Sequence, residues 1–379
     1  MNYTLRSLIH LLTLAASLLL VNGSPNRLAA DETTREINVS VGVQLPLSGD
    51  LAFAGQDIQR GIDLALEDLL PSPIKLTVHY EDDRASAVQA ASASQRLIMQ
   101  KKVDVAVSLW DMAEIVAPVA ERAKIPHLSI RWNPHVAEQY SYTFTLESTY
   151  KTFARYQLAL AQASGAKTLG LITEESTGWN LVRDYIEASA KEYGLSVVSS
   201  DAYTPAPGLD LRPVVTRALS RKPDFLIINN FQPWIVPTIR LIRQLNRQQK
   251  FTGYFEGIEQ PQLVEGIPFV NQSNTSALFQ ERFLKKYGER FKMRAPHAYD
   301  IVKIIHDAYV KSPSRKATSD ELVSSLKAVK NYQGQSGILT TNATKNIETE
   351  PVYQVLRNGI AQPFSLLQLM KDELNSRVR

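Results

Sequence analysis

Short runs of β-branched and aliphatic residues alternate along the chain with longer stretches whose apolar positions recur every three or four residues. Residues 37–45 read as a first strand, closed by Pro46-Leu47-Ser48-Gly49. Residues 55–70 carry Ile58, Ile62, Leu64, Ala65 and Leu69 on one helical face, and Pro71 and Pro73 stop that helix. Strands at 76–80, 103–107 and 127–130 follow, separated by helices at 85–101 and 113–123. The rhythm restarts with a helix at 152–164. Strands at 168–173, 196–199 and 225–229 then alternate with helices at 180–193, 211–220 and 236–248. Such alternation builds βαβ units around a mostly parallel sheet. Two series of this kind predict two doubly wound α/β lobes, with ligands expected beyond the carboxyl ends of the strands. The last third adds helices at 277–287, 298–311 and 319–328 and a hairpin around Asn358-Gly359. It holds too few strands for a third lobe and is expected to complete the other two.

The first thirty residues change where the protein is expected to work. A short basic start leads into an apolar run at 8–21 that His10, Thr13 and Ser17 interrupt. That run has the length of a signal-peptide core and is shorter than the ~20 apolar residues of a bilayer span. Residues 1–23 are therefore expected to be a cleaved signal, with cleavage after residue 30 as the alternative. The sequence contains no cysteine, which excludes disulfides, thiolate metal sites and lipid attachment through a cysteine. A free monomer in the periplasm of a Gram-negative cell is the expectation, not anchored to a membrane. About 350 residues then remain, enough for two domains. The net charge of +4 is spread without basic blocks, so nucleic acid is not an expected partner.

Several ordered segments carry a family resemblance. Val41-Gly42-Val43-Gln44-Leu45-Pro46-Leu47-Ser48-Gly49 is followed by Gly55 and then by Gly61-Ile62-Asp63-Leu64-Ala65. Asp82-Asp83, Leu97-Ile98, Lys102-Val103-Asp104, Ile125-Pro126, Pro223-Asp224-Phe225 and Ala298-Tyr299-Asp300 come after them in order. In this set the chain resembles the leucine/isoleucine/valine-binding family of periplasmic receptors that feed ABC transporters. The resemblance implies the type I periplasmic binding protein fold: two Rossmann-like lobes, a three-crossover hinge and a ligand between the lobes. By the same analogy, 37–146 plus 263–340 form lobe 1, and 147–262 plus 341–379 form lobe 2.

It also implies where the site lies. Family members that bind amino acids hold the carboxylate with lobe 1 hydroxyls and backbone N–H groups, and the ammonium with a lobe 2 acid. The matching loops here read Ser108-Leu109-Trp110-Asp111 and Arg131-Trp132-Asn133, so Trp110 and Asn133 stand in the usual hydroxyl positions. Arg131 offers a planar fork of donors for an anion, and Trp110 a flat apolar wall. The alternative for Arg131 is a structural bridge to Asp111 or Glu147. On lobe 2, Gly257-Ile258-Glu259 matches the family's Gly-x-Glu, which makes Glu259 the expected partner of an ammonium group. Trp179, Asn230 and Phe231 are expected to line the same cleft, and Phe53 to close the lobe 1 side.

No cofactor or metal is expected, and no catalysis. The six histidines make no H-E-x-x-H spacing, and neither a G-x-S-x-G elbow nor a G-x-x-x-x-G-K phosphate loop is present. Glu81-Asp82-Asp83 reads as a strand end. The expected role is capture of an amino acid of branched-chain type, or a related small amphipathic carboxylate or amide, for an inner-membrane ABC permease. A sensor that docks on a membrane receptor needs the same cleft and is the alternative; a hydrolase on the same fold lacks its nucleophile.

Overall fold

The computed structural model describes residues 36–312 and 317–378. The expected signal segment lies outside the described residues. Strand β1 (Ile37–Leu45) has five consecutive buried residues at its end, because helices cover both faces of the sheet it joins. Strands β2 (Ile74–Asp82), β3 (Val105–Leu109), β4 (His127–Ile130) and β5 (Thr143–Leu146) lie parallel to it in the order β2-β1-β3-β4-β5. Helix α1 (Ala52–Asp68) leaves β1, helix α2 (Ala87–Ser94) leaves β2 and helix α3 (Ala113–Ala123) leaves β3. A short helix α4 (His135–Gln139) lies between β4 and β5.

The second series repeats the plan. Helix α5 (Tyr150–Ala163) leads to β6 (Thr168–Glu174), α6 (Thr177–Ser189), β7 (Ser196–Tyr203), α7 (Arg212–Ser220), β8 (Phe225–Asn229), α8 (Ile235–Leu245) and β9 (Lys250–Gly253). These four strands form a parallel sheet in the order β7-β6-β8-β9. In each sheet the chain runs one way from the first strand of its series and then the other way. The reversal opens a crevice between β1 and β3 in one sheet and between β6 and β8 in the other. Ligands of doubly wound sheets occupy that crevice.

The remaining segments enlarge the first sheet and add a small antiparallel sheet beside the second, but not at the boundaries expected from the sequence. Strand β10 (Pro268–Asn271), expected in lobe 1, pairs antiparallel with β14 (Val352–Arg357), which in turn pairs with β15 (Ile360–Pro363) beside the second series. Helices α9 (Ala277–Tyr287), α10 (Ala295–Lys311) and α11 (Ser319–Lys327) come next, and α10 packs along α1. Strands β11 (Tyr332–Gln333), β12 (Ile338–Thr341) and β13 (Asn346–Glu348) then enlarge the first sheet to eight strands. β13 was expected with lobe 2, yet it runs parallel to β5 through Asn346–Thr145 and Ile347–Leu146. The chain thus changes sheet after Leu146, Asn271 and Glu348. Helix α12 (Leu366–Val378) closes the described chain.

Buried polar side chains tie these three crossings together. The Asn346 amide donates to the Glu147 carbonyl at 3.0 Å, and the Thr349 hydroxyl to the Gln272 carbonyl at 3.0 Å. The Ser148 hydroxyl donates to the Gln272 side chain. Each satisfies a group that would otherwise be buried without a partner, at a cost of about 1–3 kcal/mol.

Candidate functional site

Loops from both crevices converge on one cavity of about 280 Å³. The first sheet supplies Pro46, Leu51 and Phe53 after β1, Asp83 and Ala85 after β2, Trp110, Asp111 and Met112 after β3, and Arg131, Trp132 and Asn133 after β4. The second supplies Glu174 at the end of β6, Ser176, Thr177 and Gly178 after it, and Phe231 and Gln232 after β8. Glu147 comes from the first crossing, and Met293 and Arg294 from the segment before α10. The walls are mainly apolar and aromatic, with charged groups from both halves.

Of the residues expected from the sequence, Phe53, Trp110, Asp111, Arg131, Asn133 and Phe231 line this cavity. Trp110 sits at φ 51°, in the left-handed region that a bulky side chain adopts at a cost of about 1–2 kcal/mol. Such strain concentrates where geometry serves a site. Asn133 turns its Oδ1 back to accept from the His135 N–H at 3.2 Å.

Four expected residues stand elsewhere. Ser108 is inside β3, which runs two residues further than the apolar pattern indicates. Its hydroxyl meets the His127 Nε2 at 2.9 Å and Ser129 at 3.1 Å inside the sheet. Trp179 lies in the first turn of α6, which starts early because Ser176 caps it and accepts the Trp179 N–H at 3.3 Å. Its ring is fully buried among Trp132, Phe153 and Phe231. Asn230 is buried, donating to the Tyr203 hydroxyl and to Thr238, both at 3.1 Å. Glu259 is exposed, beyond the turn in which the Ile258 N–H donates to the Phe255 carbonyl. The acid turned inward there is Glu256.

Two buried arginines dominate the electrostatics. Arg131, 2% exposed, donates to Glu114 at 3.0 Å and to Asp111 at 3.4 Å. The bridge to Asp111 that the sequence left open is therefore present, while Glu147 is taken by the other arginine. Arg294, equally buried, pairs with Glu147, with Glu256 at 3.0 Å and with the Tyr254 hydroxyl. Its guanidinium also lies 5.2 Å from the Tyr254 ring centroid. Burial works against the Arg294 cation, but the charges of Glu147, Tyr254 and Glu256 outweigh it and raise its pKa. Neither arginine has a partner for its buried Nε–H.

Three carboxyls lining the cavity are shifted upward. Burial pushes Glu147 to about 7 despite the pull of Arg294. Burial also pushes Glu174 to about 7, with only the Phe231 N–H, at 3.0 Å, drawing it back. Asp83 rises to about 6 through burial, opposed by the Ala85 N–H. Groups shifted by burial in a crevice mark functional sites.

Sequence reasoning missed Glu174, Glu147, Trp132, Asp83 and Arg294 as lining residues. Glu174 ends β6, so the strand-end rule applied to lobe 1 would have found it. Trp132 stands between Arg131 and Asn133, both expected in the site. It enters the aromatic cluster of the other lobe, 4.7 Å from Trp179 and 6.1 Å from Phe231 between centroids. Gly178 is a glycine for that reason: a Cβ there would lie 2.4 Å from the Trp132 Nε1. No local signal marks Arg294. Among the described residues, no group of three or more His, Asp or Glu is arranged to hold a metal ion, and no helix is long and apolar enough to cross a membrane.

Two doubly wound lobes, three crossings and a charged, aromatic-walled cavity between the lobes define a cleft-type solute binder. A family model described as "Periplasmic binding protein" matches residues 38–356, and the chain belongs to that family. A Leu/Ile/Val-binding protein homolog (homolog 7) of Brucella suis is 26% identical over 321 residues, covering 74% of this chain and 76% of its own length. A second (homolog 8), from Brucella abortus, is 25% identical over 214 residues, and the chain spans about half of that relative, 52%. Among solved structures, a leucine-binding protein of Thermotoga maritima aligns with TM-score 0.73 and 22% identity, over 86% of this chain and 98% of that one. A solute-binding protein of Rhodopseudomonas palustris in complex with 3,4-dihydroxybenzoic acid aligns with TM-score 0.76 and 20% identity, over 86% and 96%. These likenesses show a shared type I periplasmic binding protein fold.

Proposed function

We propose that this chain is a periplasmic solute receptor of an ABC importer. It captures an amino acid of branched-chain type, or a related small amphipathic carboxylate or amide, and passes it unchanged to an inner-membrane permease. One observation carries the reading. From opposite lobes, a buried guanidinium with a free Nε–H (Arg131) and a carboxyl without a cation (Glu174) line one apolar-walled cavity. A zwitterion with an aliphatic or aromatic body complements that set. Its acid meets a donor on lobe 1, its amine meets Glu174 on lobe 2, and its body packs on Trp110, Phe53 and Phe231. Binding from both sides favours the closed arrangement of the lobes.

The test is a thermal-shift screen over aliphatic amino acids, aromatic acids and small amides. A ligand at a hundred times its Kd stabilises by about 2.7 kcal/mol through mass action. For a chain of this size, that is an upward Tm shift of a few degrees. The reading expects at least one stabiliser, recovered chemically intact after incubation. A screen without any stabiliser overturns it, and recovery of a product in place of the ligand overturns the non-catalytic part.

A further inference from the structure

At the hinge end of the cavity, where Glu147 and Arg294 line it, the protein already holds a cation of its own between Glu147 and the buried Glu256 behind it. Arg294 stands just before α10 on lobe 1, at φ 48°, and its guanidinium reaches across to Tyr254 and Glu256 of lobe 2 and to Glu147 at the first crossing. The close approach of the two segments is built into the backbone. Gly257, at φ 63°, packs where any Cβ would lie 2.5 Å from the Lys292 Cα. Glu256 is satisfied on its other side by the Ser273 hydroxyl at 3.3 Å. Two buried carboxylates so placed would form a strong site for a ligand's ammonium group, since a buried cation needs charged partners. The protein fills that site with Arg294, a cation that lines the cavity, and the Nε–H of its guanidinium is buried without a partner.

We propose that Arg294 is a specificity-determining residue. It occupies the place of a ligand ammonium between Glu147 and Glu256 and turns the hinge end of the cavity into a subsite for the ligand's carboxylate or carbonyl oxygen. The ligand's amine is thereby directed to Glu174, at the end of β6. This rests on the reading of the cavity as the ligand site. It adds an orientation: acid toward the hinge, amine toward the second sheet.

Three probes that share one aliphatic body test it: leucine, 4-methylpentanoate, which lacks the amine, and 3-methylbutylamine, which lacks the acid. Binding to the wild type and to Arg294→Met is measured by calorimetry and thermal shift. The proposal expects the variant to gain at least tenfold in affinity for 3-methylbutylamine, and to lose at least tenfold for 4-methylpentanoate where the wild type binds it. If Arg294→Met does not fold, Arg294→Lys carries the test. Its shorter ammonium cannot serve both carboxylates, so at least a threefold gain for the amine is expected. An amine affinity unchanged within twofold in the folded variant overturns the proposal. Failure of the wild type to bind any probe counts against the solute-receptor reading, whereas a gain of amine binding in the variant still supports the role of Arg294. Leucine binding to the wild type with no change in the variant sinks the role of Arg294 alone.

Discussion

Arg131 and Arg294 are equally buried, line the same cavity and each meet two carboxylates, yet their partners differ. Those of Arg131 are solvated: the side chains of Asp111 and Glu114 are 48% and 41% exposed. Those of Arg294 are not: Glu147 and Glu256 are 2% and 7% exposed. A carboxylate half in water can turn away and be rehydrated if its cation is lost. A buried one cannot, so the Arg294 cluster is held by necessity and the Arg131 pairs by a modest preference. The lesson is that the burial of an arginine says little until the burial of its partners is known.

The sharpest way to break this comparison is to remove each cation in turn. Arg294→Met strands Glu147 and Glu256 side by side in the interior, and removing one side of a buried pair typically costs about 3–5 kcal/mol. Arg131→Met leaves two carboxylates that water can serve, and its expected cost is about 1–2 kcal/mol. Urea titrations of both variants would decide it. Equal losses, or a larger loss for Arg131→Met, would mean that the exposure of the partners does not set the cost.

The next effect concerns Glu174, a cavity carboxyl with no cation of its own. Its unfolded pKa of 4.5 rises to about 7 in the folded chain, so the folded state keeps a proton that the unfolded state has released. Its contribution is fully present below pH 4.5 and is lost as pH rises through about 7, on the order of 3 kcal/mol in all. Glu174→Gln removes that dependence. Relative to wild type, the variant should gain stability between pH 5 and pH 8, read as Tm against pH, and lose at least tenfold in leucine affinity. Parallel Tm curves for the two proteins would show that Glu174 titrates near its ordinary value.

Much of this arrangement was legible in the sequence, and the boundary of legibility has physical causes. The two strand–helix series announce the two sheets because periodicity is local. Asn358-Gly359 forms the expected two-residue turn, with both residues at positive φ and Arg357 opposite Ile360. Gly55 is needed because a Cβ would lie 2.1 Å from the Pro46 carbonyl oxygen, which fixes how α1 leaves the turn after β1. Strand ends are less sharp. The apolar run weakens at Ser108, which marks it as a loop position, yet the ladder still pairs it with Ser129. Glu259 and Glu256 are three residues apart, and only the turn at Phe255 and Ile258 decides which one faces inward. The Arg294 cluster joins residues from three separate segments, and no spacing along the chain announces it.

The smallest effect tests the weaker half of the comparison. With one guanidinium shared between two half-exposed carboxylates, loss of either leaves Arg131 a partner. Asp111→Asn removes the longer contact, at 3.4 Å, and should cost no more than about 1 kcal/mol. The remaining pair with Glu114, at 3.0 Å, then bears the whole neutralisation at an exposed oxygen, so its response to salt should grow. Denaturation of wild type and Asp111→Asn at low and at 0.5 M salt, roughly spanning strong and weak screening, reads this as a difference of differences. A salt-independent cost, or one as large as that of Arg294→Met, would show that Asp111 is as firmly committed as Glu147, and the contrast between the two arginines would lose its basis.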